Sequence, residues 1–485
     1  MGKIYDPHPE YVRMLPRWVR CRDAAEGQDA VKAASPDGTK APGQRYLPIL
    51  PGMTLPEYQV YLSRAFWFNA TGRTIEGLGG LIFRKDPVVE GLPLTDDLVE
   101  DVDLAGTSLV EFARVLTDEV LTVGRVGVMI DVPVAGEGLT VAQAEALGVR
   151  PFAALYRAED VINWTEGRVN NRSELTRLVL REPDPEIDGF QYRELILTDA
   201  GYLVRLHRRP KDSEEYTPGP PSVPLMGGEP LDRLPFWFFN AKDLKARPKK
   251  PPLQDLVDLN VSHYHTMAEL ESGRLWCGHP TVVLCGDFGA GDATEGAAGQ
   301  KSKPKIKLGG MSALVGDQGS SASYLYLPSD GLTPLEKADE QKRLMMARVG
   351  SRVLQDDPQN GVEAYQTALI RANGETSVLA GIAHIVGRGL SELMTLAAEW
   401  RGPRAQVAVT LNSEFFPEPF DAATLTALVA AWIQGGLSDE ALFGRYKAMG
   451  ILTDQTTLEA FKGGLQKPTP QLSKDLKTSP STVKQ

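Results

Sequence analysis

Lys301, Lys303, Lys305 and Lys307 recur at every second position. In an extended chain alternate side chains share a face, so this spacing predicts a row of four cations on one side of a strand. Such a row resists burial and suits an acidic partner or a phosphate backbone. It equally suits an edge strand that lysine protects from aggregation. Just upstream, the apolar run Thr281–Cys285 leads into the glycine-rich stretch GDFGAGDATEGAAGQKSKP. A phosphate-cradling loop needs glycine directly before its lysine, so that backbone amides close on the phosphates. Here Gln300 holds that place and Gly299 comes one residue early, while Pro304 disfavours helix at Lys303. No nucleotide site is assigned.

Ligand-type side chains also gather at His263, His265, Cys277, His279 and Cys285. On a helix, residues two apart point about 200° away from each other, so His263 and His265 do not grip one ion. Cys277 and His279 lack a second pair at zinc-finger spacing. Surface histidines and buried thiols are expected instead. The acidic run Asp96, Asp97, Glu100, Asp101 and Asp103 precedes a helix, where negative charge suits the N-terminal dipole better than it argues for a cation. There is no G-x-S-x-G elbow and no H-E-x-x-H helix. No catalytic, cofactor-binding or metal residue is assigned, and the chain is expected not to be an enzyme.

The elements that carry these residues follow from periodicity. Long helices are predicted over about 253–276 and 334–355, the second with Leu335, Ala338, Met345, Val349 and Val353 as its apolar stripe. They bracket the glycine-rich section and its β-type runs Thr281–Cys285, Lys305–Leu308 and Tyr324–Leu327. A third helix, about 376–400, places Leu379, Ile382, Val386, Leu390, Leu393, Ala397 and Trp400 on one face. Earlier, Leu109, Phe112, Leu116 and Val120 mark a helix over 107–123 that Gly124 ends before an alternating strand. Residues 56–70 read as a helix opened by Pro56, and the first 45 residues as irregular, with Pro7, Pro9 and Pro16 as breaks and a surface linker over 24–45 that carries one short helix. From 151 to 240 the period is two. Tyr192–Thr198 and Tyr202–Arg208 form a hairpin, with Arg177, Arg181, Arg193, Arg205, Arg208 and Arg209 read as a solvated basic face. Residues 210–235 read as a proline-rich loop, 421–464 as short helices with Ser438 as an N-cap, and 466–485 as a disordered tail.

Composition bounds the function. The 485 residues carry 52 Lys plus Arg against 63 Asp plus Glu, a net charge of -11. A protein that wraps duplex DNA by counterion release is normally basic, so tight, extensive DNA contact is excluded. Three cysteines make no disulfide framework and fit a reducing compartment. No apolar run reaches the roughly 18 residues of a spanning helix, and Met1 to Arg20 lacks a signal-type core, so no membrane role is expected.

Two stretches carry a family resemblance. RYLPILPGMTLPEYQVYLSRAFWFNATGRTIEGLGGLIFRKDP (45–87) and RPFAALYRAEDVINW (150–164) resemble signatures of tailed-bacteriophage portal proteins. The order of the middle of the chain is similar too: a helix ending in Glu269–Trp276, then His279-Pro280-Thr281, a β-rich insert, a second long helix, and the helix containing NGETSVLAGIAHIV.

The resemblance implies an α+β portal-type subunit with wing, long-helix stem, β-containing clip and helical crown. In those terms 1–250 is wing, 251–276 and 334–355 are stem, 277–333 is clip and 356–420 is a channel-proximal helix with the rest of the wing. Residues 421–465 would be crown and 466–485 a tail. It implies a homo-oligomeric ring of twelve at one capsid vertex of the virion, assembled in the host cytoplasm. Terminase, tail adaptor and major capsid or scaffold protein would be partners, with double-stranded DNA passing through the channel. The lysine row would then be a partner-binding surface of the clip. An acidic balance agrees with a channel through which DNA must slide. A shorter adaptor, another capsid-associated ring protein, or an enzyme with a site around 277–305 are the alternatives.

Overall fold

The computed structural model describes residues 3–36, 38–93, 96–133, 149–169, 171–211, 213–279, 281–286, 319–325, 329–350, 365–402, 406–413, 415, 422–448, 452 and 456–464. Contacts divide the chain into two units, Met1–Ser413 and Glu414–Gln485. The architecture is mixed α and β with open sheets, as the sequence implies.

The N-terminal stretch is not irregular. Pro9–Glu26 forms α1, which buries Tyr11, Met14, Trp18, Cys21 and Ala24 at helical spacing. Pro9 stands in the first turn, where its missing N–H is not needed. Pro16 lies inside the helix and costs one backbone bond, which burial of Trp18 and its neighbours outweighs. A short α2 (Gln28–Lys32) follows and buries Val31.

The expected helix over 56–70 stops at Arg64, and a second helix begins at Ala70. Helix α3 runs Leu55–Arg64, capped by Thr54 with Glu57 reaching back to the Thr54 amide at 2.8 Å. Helix α4 runs Ala70–Ile82, and its N-cap Asn69 accepts from Gly72 N at 2.9 Å. Strand β1 (Val88–Glu90) and the short α5 (Asp97–Glu100) lead to α6 (Leu109–Val123). The predicted stop of α6 holds, Gly124 ending it in the left-handed region at φ 78°, and the structure adds an N-cap, Ser108.

Strand β2 (Arg125–Asp131) is the centre of the first unit, with six of its seven residues buried. It pairs antiparallel with β3 (Phe152–Arg157), and on its other side with a strand reached only after the second sheet. That second sheet is an antiparallel meander of β4 (Val161–Val169), β5 (Arg172–Pro183), β6 (Phe190–Thr198), β7 (Gly201–Arg208) and β8 (Thr217–Pro218). The predicted hairpin is β6–β7, with Thr198 opposite Gly201. Of the six arginines read as a solvated basic face, Arg177, Arg181, Arg193 and Arg208 are ion-paired instead. Arg177 pairs with Glu194 at 2.7 Å, Arg181 with Asp160 at 2.9 Å, and Arg193 with Glu182 at 2.7 Å and Asp131 at 3.0 Å. Each cation meets a carboxylate across or beside its strand, so the local charge is neutralised.

The proline-rich 210–235 segment carries, besides β8, the two-residue strands β9 (Leu225–Met226) and β10 (Glu229–Pro230). Then β11 (Phe236–Asn240), wholly buried, completes the β11-β2-β3 sheet. Helix α7 (Gln254–Gly278), β12 (Thr281–Cys285), β13 (Ser321–Leu325) and α8 (Leu332–Gly350) follow. Helix α9 (Tyr365–Arg401) starts earlier than the sequence pattern suggests, and packs on α6 and β11 through Ile382, Val386, Leu390 and Leu393. It approaches β11 so closely that a Cβ on Gly389 would sit 2.3 Å from the Phe239 ring. Only glycine fits there. Strand β14 (Ala408–Thr410) pairs back with β1.

The second unit holds α10 (Ala422–Ile433), α11 (Asp439–Ala448) and α12 (Leu458–Gly464). Ser438 caps α11, as predicted, accepting from Ala441 N at 3.2 Å. Trp432 donates to Asp439 at 2.7 Å, and Phe443 and Tyr446 pack on Phe461. The lysine row, the strand expected at Lys305–Leu308, residues 351–355 of the second long helix and the 466–485 tail lie outside the described residues.

Candidate functional site

Helices α7 and α8 form an antiparallel pair, and antiparallel strands β12 and β13 stand at one end of it. Thr281 pairs with Leu325 and Cys285 with Ser321, so five residues of each strand are in register. All of β13 is exposed. So is Trp276, 58% exposed, on the last turn of α7 beside the hairpin.

The seam between the helices is polar. His263, fully buried on α7, brings Nε2 to 2.7 Å from Asp339 Oδ1, and Arg343 holds the other Asp339 oxygen at 3.0 Å. Lys342 Nζ donates to Ser262 O at 2.9 Å and to Thr266 Oγ1 at 2.7 Å. Nearer the hairpin, Arg274 bridges Glu271 at 2.8 Å and Glu336 at 3.2 Å. Burial pushes the His263 pKa down, against the pull of Asp339 and with the help of Arg343 and Lys342. Burial also lowers Lys342, opposed by Glu269 and Asp339.

The predicted stripe of α8 holds only in its first half. Leu335 faces inward with Asp339, Lys342 and Met346, and Ala338 is half-buried, whereas Met345 and Val349 are exposed, as is Leu344. Polar residues take the seam because α7 offers His263, Ser262 and Thr266 there, and a buried polar group needs a partner.

The base of α7 is tied to the signature segment. Asn260, fully buried, donates to Phe68 O at 2.9 Å and accepts from Thr71 N at 3.3 Å and Thr71 Oγ1 at 3.2 Å. Three bonds from one amide fix the turn between α3 and α4 onto α7. Around it Tyr58, Tyr61, Trp67, Val257, Tyr264 and Ala268 form one apolar cluster. The motif at 45–87 thus folds as the socket of the helix pair.

The ligand-type residues are scattered. His263 is buried rather than on the surface, His265 lies 2.5 Å from Tyr46 O, and His279 is exposed at the α7 end. Cys277 is half-buried and Cys285 exposed, so neither thiol is buried as expected; Cys21, outside that set, is. Among the described residues no group of three His, Cys, Asp or Glu side chains is placed to hold a metal. The acidic run is structural. Asp96 caps α5 and pairs with Arg401 at 2.9 Å, Asp101 pairs with Arg150 at 2.7 Å, and Asp103 accepts from Ala105 N at 2.9 Å. No described helix is long and apolar enough to cross a membrane.

The sequence missed the seam. Nothing local marks His263 as the partner of Asp339; only the antiparallel packing of two distant helices joins them. Asn260 was equally hidden, although a polar side chain amid Leu256, Val257 and Tyr264 on a helix signals a buried amide with fixed partners.

Residues 252–401 match a family described as "Domain of unknown function (DUF4055)". That span covers the helix pair, the hairpin and α9. No curated protein matches this chain. Among solved structures, a chain in "Virion of native gene transfer agent (GTA) particle" is similar at 12% identity and a TM-score of 0.37, over 84% of this chain and 92% of that one. A chain in "Neck of native GTA particle computed with C12 symmetry" is similar at 12% identity and a TM-score of 0.38, over 85% and 95%.

Proposed function

We propose that this chain is a structural subunit of a phage-type head–tail assembly, and within that class the portal protein, a ring at one capsid vertex. The observation that carries the reading is the α7–hairpin–α8 arm. Two long antiparallel helices are seated at one end in the 45–87 motif and tipped at the other by an exposed β-hairpin. In a portal-type subunit these are stem, residues 251–276 and 334–355, and clip, residues 277–333. Residues 1–250 and 356–420 would build wing and channel-proximal parts, and 421–465 the crown.

The arm geometry supports that function. A ring of such arms, twelve in the family to which the motifs are similar, encloses a channel for double-stranded DNA. Exposed hairpins at the arm ends offer a docking surface for the terminase during packaging and for the tail adaptor afterwards. The other end would sit among major capsid or scaffold protein. Lys301, Lys303, Lys305 and Lys307 fall in the clip and would meet an acidic partner surface there. The chain itself supplies position rather than chemistry, the packaging motor being a separate protein.

Gold-labelled antibody against this chain, applied to particles made by the genome that encodes it, tests the role. Label at a single vertex, at the head–tail junction, is expected. Label on all vertices, or along the tail, would overturn the portal assignment while leaving a virion protein.

A further inference from the structure

The outer faces of α7 and α8 carry opposite chemistry. On α8 the side turned away from α7 presents Lys337, Gln341, Leu344, Met345 and Arg348, all exposed. They fall within an arc of about 100° at 3.6 residues per turn, and no carboxylate lies inside it. On α7 the arc left open between α8 and the N-terminal helices presents Asp255, Asp258, Glu269 and Trp276, also exposed. That arc spans about 60° and holds no lysine or arginine of its own. From neighbouring elements, Lys250 reaches Asp255 at 2.6 Å, Arg20 reaches Asp258 at 2.8 Å, and Lys342 on α8 of the same copy interacts electrostatically with Glu269.

The two faces also match in height. The helices are antiparallel, with His263 beside Asp339 and Arg274 beside Glu336. To within about one helical turn, this register sets Lys337 level with Glu269 and Arg348 level with Asp258. Rotation about an axis parallel to the helix pair leaves levels unchanged. A second copy generated by such a rotation therefore brings cation to anion at both ends, with Leu344 and Met345 between them.

On the ring reading above, we infer that the cationic and apolar face of α8 docks on the acidic face of α7 of the next copy. The contact joins two different surfaces, so it is directional and propagates around a ring until it closes. Its apolar centre, Leu344 and Met345, excludes water, and its charged ends set register and reject a like face.

Light scattering of the full chain at one fixed concentration tests this. The expected result is a ring for the unaltered chain and loss of the ring peak for both Lys337→Glu and Glu269→Lys. Recovery of the peak is expected when the two changes are combined, since each copy then carries the exchanged pair. Rings undiminished in both single variants, or no recovery in the double, would overturn the face assignment and leave the ring reading standing. A monomeric unaltered chain would overturn both. Circular dichroism checks that each variant keeps its helices. A second probe needs no charge reversal: Lys337→Cys with Glu269→Cys, with Cys277 and Cys285 replaced by serine, should oxidise to a ladder of covalent multimers. Absence of intermolecular cross-links would contradict the contact.

Discussion

Nε2 of His263 lies 2.7 Å from Oδ1 of Asp339, and this buried contact joins the two helices of the arm. Its other charged neighbours are Arg343, on the second Asp339 oxygen, and Lys342 one turn away. Neither ring nitrogen completes a hydrogen bond of good geometry among the described residues, so protonating this buried imidazole puts a charge into the seam between α7 and α8.

A pH dependence follows with a definite sign. Burial holds the folded pKa of His263 below its ordinary 6.5, so the unfolded chain takes up the proton first as pH falls. The histidine's contribution is complete above that value and is lost as pH drops through it toward the lower folded pKa. Thermal melts between about pH 7.5 and 5.5 should show the Tm falling more steeply for the unaltered chain than for His263→Gln. His8, also lowered by burial, is present in both chains and cancels in the comparison. Parallel curves would contradict the role of His263.

Arg22 should be the strongest single tie of α1. Its guanidinium spans Glu119 on α6 and Glu159, each at 2.8 Å, and all three side chains are largely buried. Arg22→Ala leaves two carboxylates in a site built for a cation, with only Arg157, at 3.6 Å from Glu119, to compensate. Urea unfolding should show a loss of about 3 kcal/mol. A loss of a few tenths would mean that the pair is screened like a surface bridge.

Arg125 tests the opposite case. It is fully buried, stacked 4.6 Å from the Trp164 ring centroid and 4.1 Å from that of Phe238, and its Nη1 donates to Ala246 O. Its Nε and Nη2 meet no acceptor among the described residues, and burial pushes its pKa down to about 9. The side chain fills space at the cost of a poorly compensated charge. Arg125→Met should therefore change stability by less than about 1.5 kcal/mol, whereas Arg125→Ala, which opens a cavity, should cost about 3 kcal/mol. Equal losses would show that the charge itself stabilises the fold.

On the portal reading the lysine row should bear on partners rather than stability. Replacing Lys301, Lys303, Lys305 and Lys307 with Glu should weaken docking of the packaging motor and leave the mass of the assembled ring unchanged. Normal packaging by that variant would remove the row from the interface. Truncation of 466–485 should likewise leave assembly intact, and a purely monomeric product would refute it.

Elements with local determinants were legible in the sequence. Ser108, the Leu109–Val120 spacing and Gly124 specify α6 within a single window, and Asp199-Ala200 turns β6 into β7 by itself. Helix α1 had its signal too, in Tyr11, Met14, Trp18, Cys21 and Ala24, but Pro16 argues locally against a helix that tertiary burial then secures. The facing of α8 was not legible. Its apolar residues Leu344, Met345 and Val349 mark a face, but which face meets α7 is decided by His263 and Thr266 on a distant helix. The arginines of the five-stranded sheet misled for the same reason: their carboxylate partners lie on neighbouring strands. The site shares this limit, since a seam assembled from two helices leaves no pattern within either one.

The central claim is that copies of this chain close into a ring. Light scattering of the purified full chain, with negative-stain images of the same peak, tests it most directly. Closed rings with a central hole are predicted, at an integral multiple of the 52.9 kDa chain mass and twelvefold on the portal reading. A stable monomer at high concentration, alone and with the capsid and scaffold proteins of the same genome, would contradict it.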